Sequence, residues 1–230
     1  MMLYIFSILF LSFNILSADN FYNQGLVRSD NLDAVYITID MCPSSLGINV
    51  SLFESIIKLS KQKKQTIPIA IAISGKWINK YPQHLQYLKQ LEKDKIIKIT
   101  WINHGYHHYY NPNLLDQKNF MLHNKSKAED DILKNQKLME ANDIIPSRFF
   151  RFPGLISDDD LLDLLNKHNL IPVGASAWLA KNNGKIKGGD IILIHGNGNE
   201  ALGVNYFIKL VNSNEFNKYK ISPIESIITN

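Results

Sequence analysis

Three histidines fall within five positions of the stretch WINHGYHHYYNP, residues 101–112, although the whole chain holds only seven. Imidazole is the commonest metal ligand among side chains and the one best matched to proton transfer near neutral pH. His104 and His108 lie four positions apart. On one helical turn that spacing lets both face a single cation, about 2.1 Å from each ring nitrogen. His107 falls outside the spacing and reads as a surface or supporting imidazole. Three further groups suit catalysis: Asp40 ends the run DAVYITID, Arg151 follows SRFF, and His195 lies near the end of DIILIHG. Carboxylate and imidazole groups can exchange protons near neutral pH, and a guanidinium can pair with a carboxylate. Each alone reads equally well as a turn residue, an ion pair or a satisfied strand-end group. Their common placement is the stronger signal.

That placement follows from the elements. Short β-branched and aromatic runs at 33–40, 66–75, 95–103, 147–154, 170–178 and 190–196 alternate with helical patterns at 50–62, 81–94, 124–142, 157–169 and 200–212. A last short strand, YKISPI, closes the chain, and Ser157 is the expected N-cap of the helix it precedes. Strand–helix alternation at this pitch predicts parallel pairing, and the economical arrangement is one α/β domain, a closed or nearly closed barrel. Asp40, His104, His107, His108, Arg151 and His195 then all stand at or just past C-terminal strand ends. In barrels of this kind that rim carries the chemistry.

Five short stretches, in order, resemble the motifs of polysaccharide deacetylases, the carbohydrate esterase family 4 or NodB-like domain. They are T-I-D-M-C-P at 38–43, His104-Gly105-Tyr106-His107-His108, Arg151-Phe152-Pro153-Gly154, Ala177-Trp178 and Leu193-Ile194-His195. The resemblance covers residues 33–225. It implies a distorted (β/α)7 barrel and removal of acetyl groups from N-acetylated sugars with a divalent metal, commonly zinc. It also implies roles: Asp40 as base, Arg151 as the group orienting it, His195 as general acid, His104 and His108 as metal ligands. Trp178, Tyr106 and Pro153 are the expected substrate-binding residues. Two departures matter. Met41 stands where the family has its metal-binding aspartate, and a thioether is a poor zinc ligand. With Met41 there, the third ligand is left open among Cys42, His107 and an extra water, and Cys42 reads more readily as a small buried residue. The aspartate before the motif's tryptophan is also missing, and with it any supporting charge it would supply.

The remaining features bound location and partners. Residues 1–17 carry no charged side chain and polarity begins abruptly at Asp19, which suits a signal peptide over 1–18 and a deacetylase-like domain over 19–230. Export to the periplasm or the medium follows, or anchoring if the leader stays, with a cell-wall or surface glycan as the expected partner. No membrane span is expected after leader removal. The formal charge of +4 comes from scattered lysines without a basic block, so no nucleic-acid partner is expected. With one cysteine there is no intrachain disulfide. Three readings stay open: an exported metal-assisted deacetylase, a carbohydrate-binding relative without turnover, and an amidohydrolase acting on another acyl group.

Overall fold

Ala34–Met41 forms strand β1 in the computed structural model, which describes residues 22–228. Every residue of β1 is buried, yet its two faces meet different surroundings. Val35, Ile37, Ile39 and Met41 join the large apolar cluster under the helices, whereas Ala34 and Tyr36 join a smaller cluster inside the curl of the sheet. Period-two alternation carries Thr38 and Asp40 onto the same inner face.

β1 is central. It pairs on one side with β2 (Ile67–Ile73) and on the other with β7 (Ile191–His195). Beyond β2 come β3 (Ile97–Asn103), β4 (Phe149–Phe150) and β5 (Ile171–Pro172); beyond β7 comes β6 (Ala177–Trp178). All these pairings are parallel, as is the short pairing of β8 (Lys220–Ile221) with the start of β1. Helices α1 (Val50–Lys63), α2 (Gly75–Lys80), α3 (Pro82–Lys93), α4 (Ala128–Glu140), α5 (Asp159–Lys167) and α6 (Ala201–Asn212) fill the connections. The result is the distorted (β/α)7 barrel, a curled sheet whose pairing order ends at β5 and β6. The segment 22–28 runs along that seam through single bridges from Leu26 to Val173 and from Arg28 to Asp190.

Register sets the site. Met41 pairs with Ile73, Ile73 with Asn103 and Asn103 with Phe150. One step further along each strand, Cys42, Ser74, His104 and Arg151 therefore share a layer at the C-terminal rim. The backbone bonds Ser74 N–H to Met41 O, His104 N–H to Ile73 O and Arg151 N–H to Asn103 O continue the ladder to that layer. On the other side Asp40 pairs with His195. Ala70 and Ala72 on β2 keep the neighbouring interior positions small.

Three expectations are corrected. The run 170–178 is two short strands rather than one, because the Asn23 side chain inserts beside Gly174: it donates to Ala175 O (2.7 Å) and accepts from Ala175 N–H (2.8 Å). A Cβ at Gly174 would lie 2.2 Å from Asn23 Oδ1. The N-cap of α5 is Asp158, which accepts from Leu161 N–H, while Ser157 is buried and donates to Gln24. Helix α2 was not expected; Trp77 anchors it, fully buried, donating to Gly47 O at 2.7 Å. The leader reading falls outside the described residues. Among the described residues no helix is long and apolar enough to cross a membrane.

Candidate active site and metal centre

Asp40 and Arg151 form the floor. Arg151 is fully buried, and its guanidinium donates to Asp40 Oδ1 (2.8 Å), Thr38 Oγ1 (2.6 Å) and the carbonyls of Val173 (3.2 Å) and Gly174 (2.7 Å). A buried carboxylate needs such a partner, since burial disfavours its charge. Burial pushes the Asp40 pKa up, but the Arg151 charge, with His104 and His195 nearby, outweighs it and holds the carboxyl below its usual range. Asp40 Oδ2 lies 3.9 Å from His104 Nε2.

The histidine pair does not converge through a helical turn, as its spacing suggested; residues 104–111 are irregular. His104 follows β3 directly and is fully buried, and its Nδ1 bonds the carbonyl of Arg151 at 2.7 Å. That contact fixes Nδ1 as the donor and leaves Nε2 as the free ligand atom. His108 returns toward His104 because the chain twice enters left-handed backbone, at Gly105 (φ 70°) and at His108 itself (φ 49°). The rings meet edge to face with centroids 5.0 Å apart. Asp131 on α4 holds the loop between them, accepting from Tyr106 N–H (2.8 Å) and His107 N–H (3.1 Å) and pairing with His107 Nδ1. A Cβ at Gly105 would sit 2.6 Å from Asp131 Oδ2, so the carboxylate occupies the room a side chain would take. Asn103 Oδ1 accepts from Gly105 N–H at 2.9 Å and from Asn135 at 2.8 Å, tying the loop to α4 a second time.

His195 stands at the other wall. Its Nδ1 pairs with Glu200 Oε2 at 2.8 Å, and the same oxygen accepts from Trp178 Nε1 at 2.6 Å. Burial alone would lower the His195 pKa; Cys42, Glu200 and Asp40 raise it well above the ordinary value. Burial likewise raises the Glu200 pKa, and His195 more than reverses that. Lys181 caps the Trp178 ring at 3.5 Å. Trp178 thus orients Glu200 more than it offers an open face. These groups border a cleft of about 980 Å³ whose walls include Cys42, His108, Tyr109, Tyr110, Trp178 and His195.

Two expected cleft residues lie elsewhere. Tyr106 packs on Gly75 under Lys134 (3.7 Å over the ring), and its hydroxyl accepts from Asn79 at 3.0 Å. Pro153 is buried, and Gly154 and Leu155 line the cleft instead. His107 pairs with Asp131 and also borders the cleft. Of the histidines set aside as solvated, His123 is exposed and stacks on Tyr109, His168 pairs with Glu129 at 2.7 Å, and His84 is half-buried with Nδ1 unpartnered. Glu200 and Asp131 escaped the sequence reading: each belongs to an ordinary polar stretch beside a helix start, with no spacing that ties it to a histidine.

The decisive comparison is with sequence families. A model described as polysaccharide deacetylase matches residues 28–173. The chain belongs to the polysaccharide deacetylase family. Solved structures agree on its fold. A family 4 pseudoenzyme from Bacillus anthracis is 18% identical over 88% of this chain and 68% of its own, with a TM-score of 0.61. A family 4 carbohydrate esterase from Streptomyces lividans, solved with acetate, is 15% identical over 88% and 94%, with a TM-score of 0.57. A peptidoglycan N-acetylglucosamine deacetylase, solved with a hydroxamate-type benzamide, is 15% identical over 88% and 91%, at 0.63.

The family is metal-dependent, and the residues present fit a divalent cation. His108 Nε2 is buried without a hydrogen-bond partner, and His104 Nε2 is presented by its bond to a carbonyl. Ligand atoms of His104, His108 and Cys42 lie within 4.8 Å of one another. Met41, at the family's aspartate position, is fully buried in the outer core and turned away from all of them.

Proposed function

We propose that this family member is an exported hydrolase that removes acetyl groups from N-acetylated sugars of a cell-wall or surface glycan. The observation that carries the reading is the coexistence of two proton-transfer pairs. Asp40–Arg151 is buried beside His104, and His195–Glu200 borders the cleft that His108 also lines, with Asp40 and His195 opposite each other in register. A pure binding module has no use for a held base and a held acid. Acetate in the Streptomyces neighbour supports acetyl as the group cleaved.

His104 and His108 would hold a divalent metal, with zinc the best match to imidazole ligands that leave a position open. Bound there, it supplies Lewis acidity that polarises an acyl carbonyl and makes a water easier to deprotonate. Asp40, kept ionised by Arg151, takes the proton from that water as its oxygen attacks the acyl carbon. His195, kept protonated and aimed by Glu200, gives a proton to the departing amine nitrogen as the C–N bond breaks. The walls Tyr109 and Tyr110 present amphipathic surface to the sugar, while Trp178 holds Glu200 at the edge of the same cleft.

The second reading, a carbohydrate-binding relative without turnover, is favoured by Met41 and by the lost aspartate before Trp178, and one structural neighbour is itself a pseudoenzyme. Glu200 weakens that case by giving His195 a carboxylate from another loop. The test is acetate release from acetylated chito-oligosaccharide and peptidoglycan by the zinc-loaded chain. Release is expected for at least one substrate, with loss in Asp40→Asn at unchanged glycan affinity. Glycan binding without release, in a protein shown to carry metal, would establish the non-catalytic reading.

A further inference from the structure

We propose that Cys42 is the third protein ligand, making this a thiolate–imidazole centre where the family pattern has a carboxylate. The inference rests on the metal-assisted reading above and specifies the donor set of that same site.

The alternation of β1 assigns the side chain. Thr38 and Asp40 turn inward to Arg151, so Met41 turns outward and Cys42, one residue later, turns inward again. Met41 is wedged against Ile39 and Gly196; a Cβ at Gly196 would lie 2.7 Å from Met41 Sδ and 2.5 Å from Ile39 Cγ2. The replacement at 41 therefore fills core, and the ligand position passes to the next inward residue. Cys42 is itself held: its carbonyl accepts from the buried Asn197 side chain. Asp40 has another task, since Arg151 holds it through Oδ1 as the base of the proposed reaction.

The spacing suits coordination. Zinc–sulfur and zinc–nitrogen bonds of about 2.3 and 2.0–2.1 Å at a tetrahedral angle separate S and N by about 3.6 Å. Cys42 Sγ and His104 Nε2 are 3.5 Å apart. His108 Nε2 is unpartnered close by, ligand atoms of the three residues lie within 4.8 Å of one another, and Cys42 and His108 both reach the cleft, where a fourth position would open. A thiolate carries the same single negative charge as the carboxylate it replaces. It differs in softness, favouring zinc and cobalt over magnesium and manganese, which prefer oxygen.

The test uses the full chain and cobalt(II) as the probe. One equivalent should bind and give a thiolate-to-cobalt charge-transfer absorption in the near ultraviolet. Cys42→Ser should abolish that band and weaken zinc binding by more than the about 10–100-fold typical of losing an outer hydrogen-bond partner. Cys42→Asp should bind without the band and accept manganese more readily; circular dichroism of both metal-free variants checks that they fold. Zinc should also shield the wild-type thiol from alkylation. Cobalt binding that needs His104 but shows no band, or zinc affinity unchanged in Cys42→Ser, overturns the proposal and leaves the deacetylase reading standing. A wild-type chain that binds neither metal overturns both.

Discussion

The two halves of the site are built differently. Asp40, Arg151 and His195 sit within strands or one residue past their ends, and the sheet register aligns them before any side chain is considered. His104 and His108 share only the first of these anchors. The second depends on a loop with two left-handed residues and on Asp131, a carboxylate in the first turn of α4. Strand-held groups inherit their geometry from backbone hydrogen bonds that the whole sheet cooperates to maintain. Loop-held groups need local contacts that tolerate little substitution, so the same size of change should act on different quantities in the two halves.

The strand-held half should fail first in stability. Arg151→Met leaves the Asp40 carboxylate buried and unpaired, together with two orphaned carbonyls. Such a break typically costs about 3–5 kcal/mol. Urea unfolding should show it, and the double variant with Asp40→Asn should lose less than the sum of the two singles, because the second change removes the unpaired charge. Additive losses would mean that the pair does not act as a unit. Asp40→Asn alone should fold, since Arg151 keeps its other acceptors, yet lose about 10²–10⁴-fold in turnover as a missing general base.

Glu200→Gln separates positioning from folding on the same side of the cleft. It keeps the hydrogen bond to Trp178 in shape but removes the charge that faces His195. A hydrogen bond to a charged group is worth about 1.5–3 kcal/mol, so kcat should fall roughly ten- to a hundredfold with KM little changed. Glu200→Asp, which keeps the charge, should recover part of the loss. Equal loss in both variants would point to packing against Trp178 rather than to the acid.

These contrasts explain what could be read beforehand. The strand runs ending at Asp40, Asn103 and His195 have composition and alternation enough to place their ends within a residue or two, and parallel pairing then brings those ends together. Cys42 was legible in principle, since residues 40 and 42 must share a face. It was discounted because burial of a small thiol is common, and its neighbours belong to β3 and the loop after it. The split of 170–178 was not legible: it is caused by Asn23, about 150 positions away in sequence. Glu200 and Asp131 act through contacts with no local periodicity. Tyr106 was misplaced for a related reason. The turn at Gly105, which points the following ring toward Gly75, is held by Asp131 on α4 and by Asn103 and Asn135, contacts with no local periodicity.

Gly105→Ala tests that last dependence. The left-handed backbone costs a residue with a Cβ roughly 1–2 kcal/mol, and the new carbon would meet Asp131 Oδ2. The expected result is a modest fall in thermal stability with a larger fall in metal affinity, because only the loop-held ligand moves. A stability loss without weakened metal binding would show that His108 is held independently of the loop.

The smallest effect should come from the most conspicuous residue of the cluster. His107 is half-exposed, its side chain at 53%, and it pairs with Asp131, whose carboxylate also accepts from the backbone N–H groups of Tyr106 and His107. His107→Ala removes a half-exposed side-chain contact to Asp131, worth about 0–1 kcal/mol, and leaves the two backbone anchors that position His108. Zinc affinity by competition with a chelator should therefore change by no more than roughly fivefold. A far larger loss would show that the loop turns over on metal binding and brings His107 inward, and the donor set would then draw on the loop for two ligands rather than one.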